Sequence, residues 1–168
     1  MPTNDVSPPC ASTSTVSIKQ ALVIQQTKVE SQALEHITQA VEVALAWVVE
    51  GDDVSRKLSS VRFFAEMYQR HLERLFALEE VDGYMDDVTE LSPELTNQVD
   101  QLKPEHEQFR VAIRKIVLRL DRTPPVDRES FNAVCEKLRQ VIKQVLEHTR
   151  RESELFVESI QRDSGGSG

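Results

Sequence analysis

The sequence predicts an all-α fold, an up-down-up-down four-helix bundle preceded by a disordered N-terminal tail. Three observations predict it. Apolar residues recur at spacings of three and four over four long stretches, the helical period. Glycine (5 residues), proline (7) and aromatics (5%) are scarce in a chain of 168 residues with 29% charged side chains, a composition that suits helices better than sheets. The breaks between the stretches are short and carry helix-stopping residues, which favours neighbouring helices packed side by side.

Residues 1–17, MPTNDVSPPCASTSTVS, are rich in Ser, Thr and Pro and lack periodicity, so they are expected to form a disordered tail. The bundle is expected over residues 18–162, and residues 163–168, ending in GGSG, are expected to form a disordered C-terminus. The first helix is predicted from about Ile24 to Glu50, with Leu34, Ile37, Val41, Leu45 and Val48 inward and Gly51 as its terminator. The second runs from about Val54 to Asp82 through Val61, Phe64, Tyr68, Leu72, Leu75 and Glu79, and Gly83 marks its stop. Ser92 and Pro93 mark the start of the third, as N-cap and first helical residue, with Glu94 in the first turn. Its stripe is Leu95, Val99, Leu102, His106, Phe109, Ile113, Ile116 and Leu120, and Pro104 should kink or split it. After the break at DRTPP, the fourth runs from about Arg128 to Gln161 through Phe131, Val134, Leu138, Val141, Val145, His148, Glu152, Leu155 and Ser159.

The charge of −8 and the mixing of basic with acidic residues argue against nucleic acid as a partner. No stretch is apolar for long enough to cross a membrane, and no secretory signal is visible. Cys10 and Cys135 make no disulfide framework, so reduced thiols and a cytoplasmic location are expected. A catalytic enzyme has little support: there is no Ser-His-Asp order, no Gly-rich phosphate loop and no cysteine beside a histidine.

The four histidines, His36, His71, His106 and His148, fall one to each helix. Counted from the loop centres, His36, His71 and His106 lie within about one turn of a common level, and His148 lies about 10 Å off it. His106 interrupts an apolar stripe and so points inward. His148 and Glu152 do the same, four residues apart on one face. His36, between Ala33 and Ala40, has room to turn inward, and His71 lies on or beside the inner face. A lone inward histidine is most often a hydrogen-bonded core residue. Inward Glu79 and Glu152 beside inward histidines are harder to account for, because an unpaired buried carboxylate is costly. A metal ion or a histidine partner is the usual remedy, and bundles that collect His and Glu from facing helices are the architecture of carboxylate-bridged di-iron sites.

These residues resemble the hemerythrin-like, or HHE cation-binding, domain over about residues 28–162. ALEHITQAVEVAL resembles its first element and supplies His36; LKPEHEQFR resembles the third and supplies His106; LEHTRRESELF resembles the fourth and supplies His148 and Glu152. LERLFALEEVDGYMDD resembles the second element of a bacterial branch, with Glu79 at the Glu position and Leu75 where that element has its His. His71, one turn before Leu75, is the candidate replacement. Arg110 stands where oxygen-carrying members place a further His, four residues after His106. The resemblance implies a non-haem iron site, di-iron or mononuclear, with His36, His71, Glu79, His106, His148 and Glu152 as metal ligands. It implies dioxygen or nitric oxide as the partner of that iron, for sensing, storage or scavenging. The alternative is a degenerate, metal-free bundle acting as a protein-interaction module, for which Leu75 is the best evidence.

Overall fold

The computed structural model describes residues 13–51, 54–81, 88–90 and 92–165. These are almost wholly helical, with no strand among the described residues. Four long helices follow one another: α1 (Thr13–Ala46), α2 (Ser55–Val81), α3 (Thr96–Arg122) and α4 (Arg128–Gly165). A 3₁₀ turn, Pro93–Leu95, leads into α3. In this helical bundle α1 packs on α2, α2 on α3 and α3 on α4, and α4 also touches α1 and α2. No helix among the described residues is long and apolar enough to cross a membrane.

The stripes predicted for α3 and α4 are buried residue for residue, including His106, His148, Glu152 and Ser159. The ends of α1 differ from expectation. It begins at Thr13, within the stretch assigned to the tail. From Thr13 to Ala46 the chain holds neither Pro nor Gly, so nothing in its backbone chemistry stops a helix there. Residues 1–12, with Cys10, lie outside the described residues, as do residues 166–168 and Gly83. Residues 163–165, assigned to the frayed C-terminus, are helical.

α1 also ends earlier than expected, at Ala46. Leu45 O near its end and Val49 O just beyond it find partners from outside the helix. Lys57 Nζ donates to Leu45 O at 2.8 Å, Arg139 Nη2 donates to the same oxygen at 3.2 Å, and Arg128 donates to Val49 O. Cations at a helix C-terminus satisfy orphan carbonyls and complement the dipole. With the helix ended, Val48 leaves the inward stripe and is exposed. Val54 N–H donates to Pro125 O at 3.0 Å, which ties the first connection to the last.

Gly51 turns the chain after the helix rather than capping it, at φ 77°. A Cβ there would meet nothing within 4 Å, so only the backbone conformation demands glycine. Gly51→Ala should therefore cost about 1 kcal/mol, the penalty of the left-handed region, read as a lower urea midpoint at unchanged slope.

Ser92 occupies the predicted N-cap position, but its side chain makes no cap bond and its buried Oγ has no partner among the described residues. The chain closes this turn through the backbone instead, with Leu95 N–H donating to Ser92 O at 2.9 Å. α3 runs through Pro104 without splitting. Pro104 and Asp100, the residue whose carbonyl loses a partner, are both exposed, so water can satisfy that oxygen.

Among the described residues the buried apolar side chains form two clusters. The larger reaches from Leu34 and Val54 to Phe76, Phe109 and Val145. The smaller holds Val88, Leu95, Val99, Leu102 and Leu155. On α3, His106 falls between Phe109 of the first and Leu102 of the second. On α4, His148 and Glu152 fall between Val145 and Leu155. A polar layer thus separates two apolar ones.

Candidate metal centre

α2, α3 and α4 build the polar layer. The inward helical face that places Leu72, Leu75 and Phe76 in the core brings Glu79 into it one turn later. Glu79 is 6% exposed, His106 4%, and His148 and Glu152 0%. Glu152 Oε1 lies 3.1 Å from His106 Nε2 and 3.0 Å from His148 Nε2. Glu79 Oε2 lies 3.7 Å from His106 Nε2. One ligand atom each from His106, His148 and Glu152 fall within 4.8 Å of one another.

The expected 10 Å offset between His106 and His148 is absent, since their ring centroids are 4.8 Å apart. Side chains lean toward the N-terminus of their own helix. Across the short connection between α3 and α4, that lean carries His106 away from the loop and His148 toward it, which narrows the gap.

Each ring is also held from behind. Glu80 Oε1 accepts from His106 Nδ1 at 3.1 Å, and Glu80 Oε2 accepts from Arg110 Nη2 at 2.8 Å. Glu105 Oε2 accepts from His148 Nδ1 at 2.9 Å and from Arg151 Nη2 at 2.6 Å. Phe76 stacks on the His106 ring at 3.9 Å and 9°, and the Arg110 guanidinium stands 5.4 Å from the Phe76 ring centre. Phe109 meets His148 edge-on at 5.3 Å.

Electrostatics divide the two inner carboxylates. Burial pushes Glu79 up to about 9, helped by the charges of Glu152 and Glu80, while Arg110 pulls the other way. Burial also pushes Glu152 upward, but the hydrogen bonds and charges of His106 and His148 outweigh it and bring the group down to about 2. His148 is raised: burial lowers it, and the carboxylates of Glu152 and Glu105 more than reverse that. Glu80 and Glu105, bonded to arginines, are held below the usual carboxylate range, against the desolvation each suffers.

Two residues expected at the site lie elsewhere. His36 is exposed and lines a surface groove with Gln39, Val43, Trp47 and Phe64. The inward stripe of α1 is Leu34, Ile37, Thr38, Val41 and Leu45, and position 36 lies well around the helix from Leu34 and Ile37. The small residues Ala33 and Ala40 border the core without turning His36 toward it. His71 is half-buried, and its Nδ1 lies 2.7 Å from Glu30 Oε2 on α1. It serves the α1–α2 seam, and Leu75 keeps its place in the apolar core at 1% exposure.

Glu80, Glu105 and Arg151 belong to the site and were not singled out from the sequence. Glu80 is masked by its neighbour Glu79, and Arg151 sits in a stretch that looks like solvated surface. The one available signal was Glu105, since the third element of the resembled family often has Glu before its His. Cys135, buried among apolar residues with its thiol pushed up to about 11, belongs to the packing.

The residues present fit a metal ion. Glu79 Oε2 and Glu152 Oε2 are buried with no hydrogen-bond partner among the described residues, a cost that a cation would offset. Two ligands on one first-row ion stand at most about 4.4 Å apart, so slight side-chain movement closes the set. No solved structure matches the chain. The model of the hemerythrin HHE cation-binding domain matches residues 24–160. With that match over most of its length, the chain belongs to the hemerythrin HHE cation-binding family.

Proposed function

We propose that this protein binds iron in its core through His106, His148, Glu152 and Glu79, and that the iron meets dioxygen or nitric oxide in sensing, storage or scavenging. The carrying observation is the convergence of one nitrogen from each of two imidazoles and a carboxylate oxygen within 4.8 Å in a layer closed from solvent. Two histidines and one carboxylate are the ligand set of many non-haem iron(II) centres that keep open positions for a diatomic ligand. An up-down-up-down order of the four helices is part of this reading, supported by their contacts in chain order.

Within such a site the protein's own groups have separate tasks. His106 and His148 present Nε2 while Glu80 and Glu105 hold Nδ1. Glu152 supplies a carboxylate already ionised at neutral pH. Glu79 holds a proton that it can give up when a cation arrives. Phe76 and Phe109 wall the rings and exclude water. The bound iron would supply the affinity for the small diatomic.

One observation favours the other reading, a metal-free interaction module: Leu75 is core, not ligand. The partnerless polar atoms weigh against it, since a bundle that had abandoned the metal would have no need to keep them buried.

Protein purified from iron-supplemented cells should carry iron, and its visible absorption should change on anaerobic addition of nitric oxide. His36→Ala and His71→Ala should leave the iron content unchanged, and His106→Ala should abolish it. Iron far below one ion per chain, with none taken up on reconstitution, would sink the proposal.

A further inference from the structure

We infer that the core is built for a single divalent cation, and that Glu80 and Glu105, each clamped by an arginine, are positioning residues that commit both imidazoles to it. The inference rests on the metal-binding reading above and narrows it.

Orientation supplies the first argument. A neutral imidazole has one N–H and one lone pair, and the hydrogen bond at one nitrogen decides which is free to ligate. Glu80 accepts from His106 Nδ1 and Glu105 accepts from His148 Nδ1. Once each Nε2 has shed the proton it shares with Glu152, both are left for the metal, and both lie within 3.1 Å of the same oxygen, Glu152 Oε1. The two rings converge on one point instead of serving two separate ions. The glutamates are fixed in turn: Arg110 holds Glu80 at 2.8 Å and Arg151 holds Glu105 at 2.6 Å.

Charge supplies the second. Glu80–Arg110 and Glu105–Arg151 are each neutral as pairs. The inner carboxylates, Glu79 and Glu152, carry two negative charges when both are ionised, and one divalent cation cancels them. A second divalent cation would leave two uncompensated positive charges in a layer almost closed from water, which is costly.

The third argument is the absence, among the described residues, of ligands for another ion. Leu75 is apolar and buried, His36 is exposed, and Arg110, a permanent cation, stands one turn along from His106 and faces Glu80. A fixed guanidinium beside the site repels a second metal.

The test is anaerobic titration of the metal-free full chain with cobalt(II) and with iron(II), read by visible absorption and by metal analysis after gel filtration. One equivalent per chain is expected. Glu80→Ala and Glu105→Ala should each weaken binding about 10–100-fold, the usual effect of removing an orienting carboxylate. Glu80→Gln and Glu105→Gln keep an acceptor for Nδ1–H and should recover most of the loss, along with the cobalt spectrum. Two equivalents of comparable affinity would overturn the single-ion inference and leave the metal-binding reading standing. Ala variants that bind as tightly as the unaltered chain, or Gln variants as weak as the Ala ones, would overturn the positioning role. No binding at all would overturn both readings. Should the Ala variants fail to fold by circular dichroism, the stoichiometry of the unaltered chain and the Gln variants decide the matter.

Discussion

Glu152→Ala should remove metal binding and lower the stability of the metal-free protein by about 3–5 kcal/mol, the cost of taking one partner from a buried pair. Its Oε1 faces both His106 Nε2 and His148 Nε2, and neither ring nitrogen can reach solvent to replace it. The deletion also leaves space between the two apolar clusters that Val145 and Leu155 border. Urea unfolding would show a lower midpoint at unchanged slope. Glu152→Gln keeps an acceptor and should lose less. A drop under about 1 kcal/mol for the alanine variant, the scale of an exposed ion pair, would mean that Glu152 does not organise this layer.

Metal affinity should rise at least about tenfold per pH unit from mildly acidic pH up to about 9, with release of a proton on binding, because a ligand must shed its proton before it can coordinate. Glu79 is the chief source, raised to about 9 by burial and by the charges of Glu152 and Glu80. His148, raised through Glu152 and Glu105, adds in the same direction. The sign for stability follows from the same shifts. Glu79 is raised in the folded state, so its contribution is full below its ordinary value of 4.5 and is lost as pH climbs through about 9. Glu152 is lowered, so its contribution is full above 4.5 and is lost as pH falls through about 2. The metal-free protein should therefore lose stability from pH 5 to 9, and metal should restore it most strongly at the alkaline end. Calorimetry in buffers of different ionisation enthalpy counts the protons released. Glu79→Gln should flatten both slopes, and a steep slope persisting in that variant would move the proton elsewhere.

Those expectations depend on side chains of unequal legibility. His106, His148 and Glu152 were readable because each replaces an apolar residue in an otherwise unbroken stripe, and a stripe fixes the direction of its members. Glu79 was readable for the same reason on α2. His36 was not, because the stripe of α1 has an ambiguous border: Ala33 and Ala40 are small enough to edge the core while position 36 faces out. His71 finds its partner Glu30 across a helix seam, a pairing that no spacing within α2 announces. Glu80, Glu105 and Arg151 act through contacts between α2, α3 and α4, so their roles exist only once those helices are packed. The expected offset of His148 is absent because residue counts place backbones along a helix, whereas the meeting of the rings depends also on the lean of the side chains.

The division of the interior into two apolar clusters has a further consequence, for how the molecule opens. The smaller cluster, with Val99, Leu102 and Leu155, is joined to the larger through the layer of His106, His148 and Glu152. In the metal-free state that layer holds buried polar atoms without partners among the described residues, so it joins the two clusters less firmly than it would with those atoms satisfied. The end of the bundle beyond it can then open as a unit of its own, with a free energy below that of global unfolding. An ion held by residues of α3 and α4 would join the two units into one. Amide exchange around Val99 and Leu155 should slow on loading the metal far more than exchange around Val61 and Leu138, deep in the larger cluster.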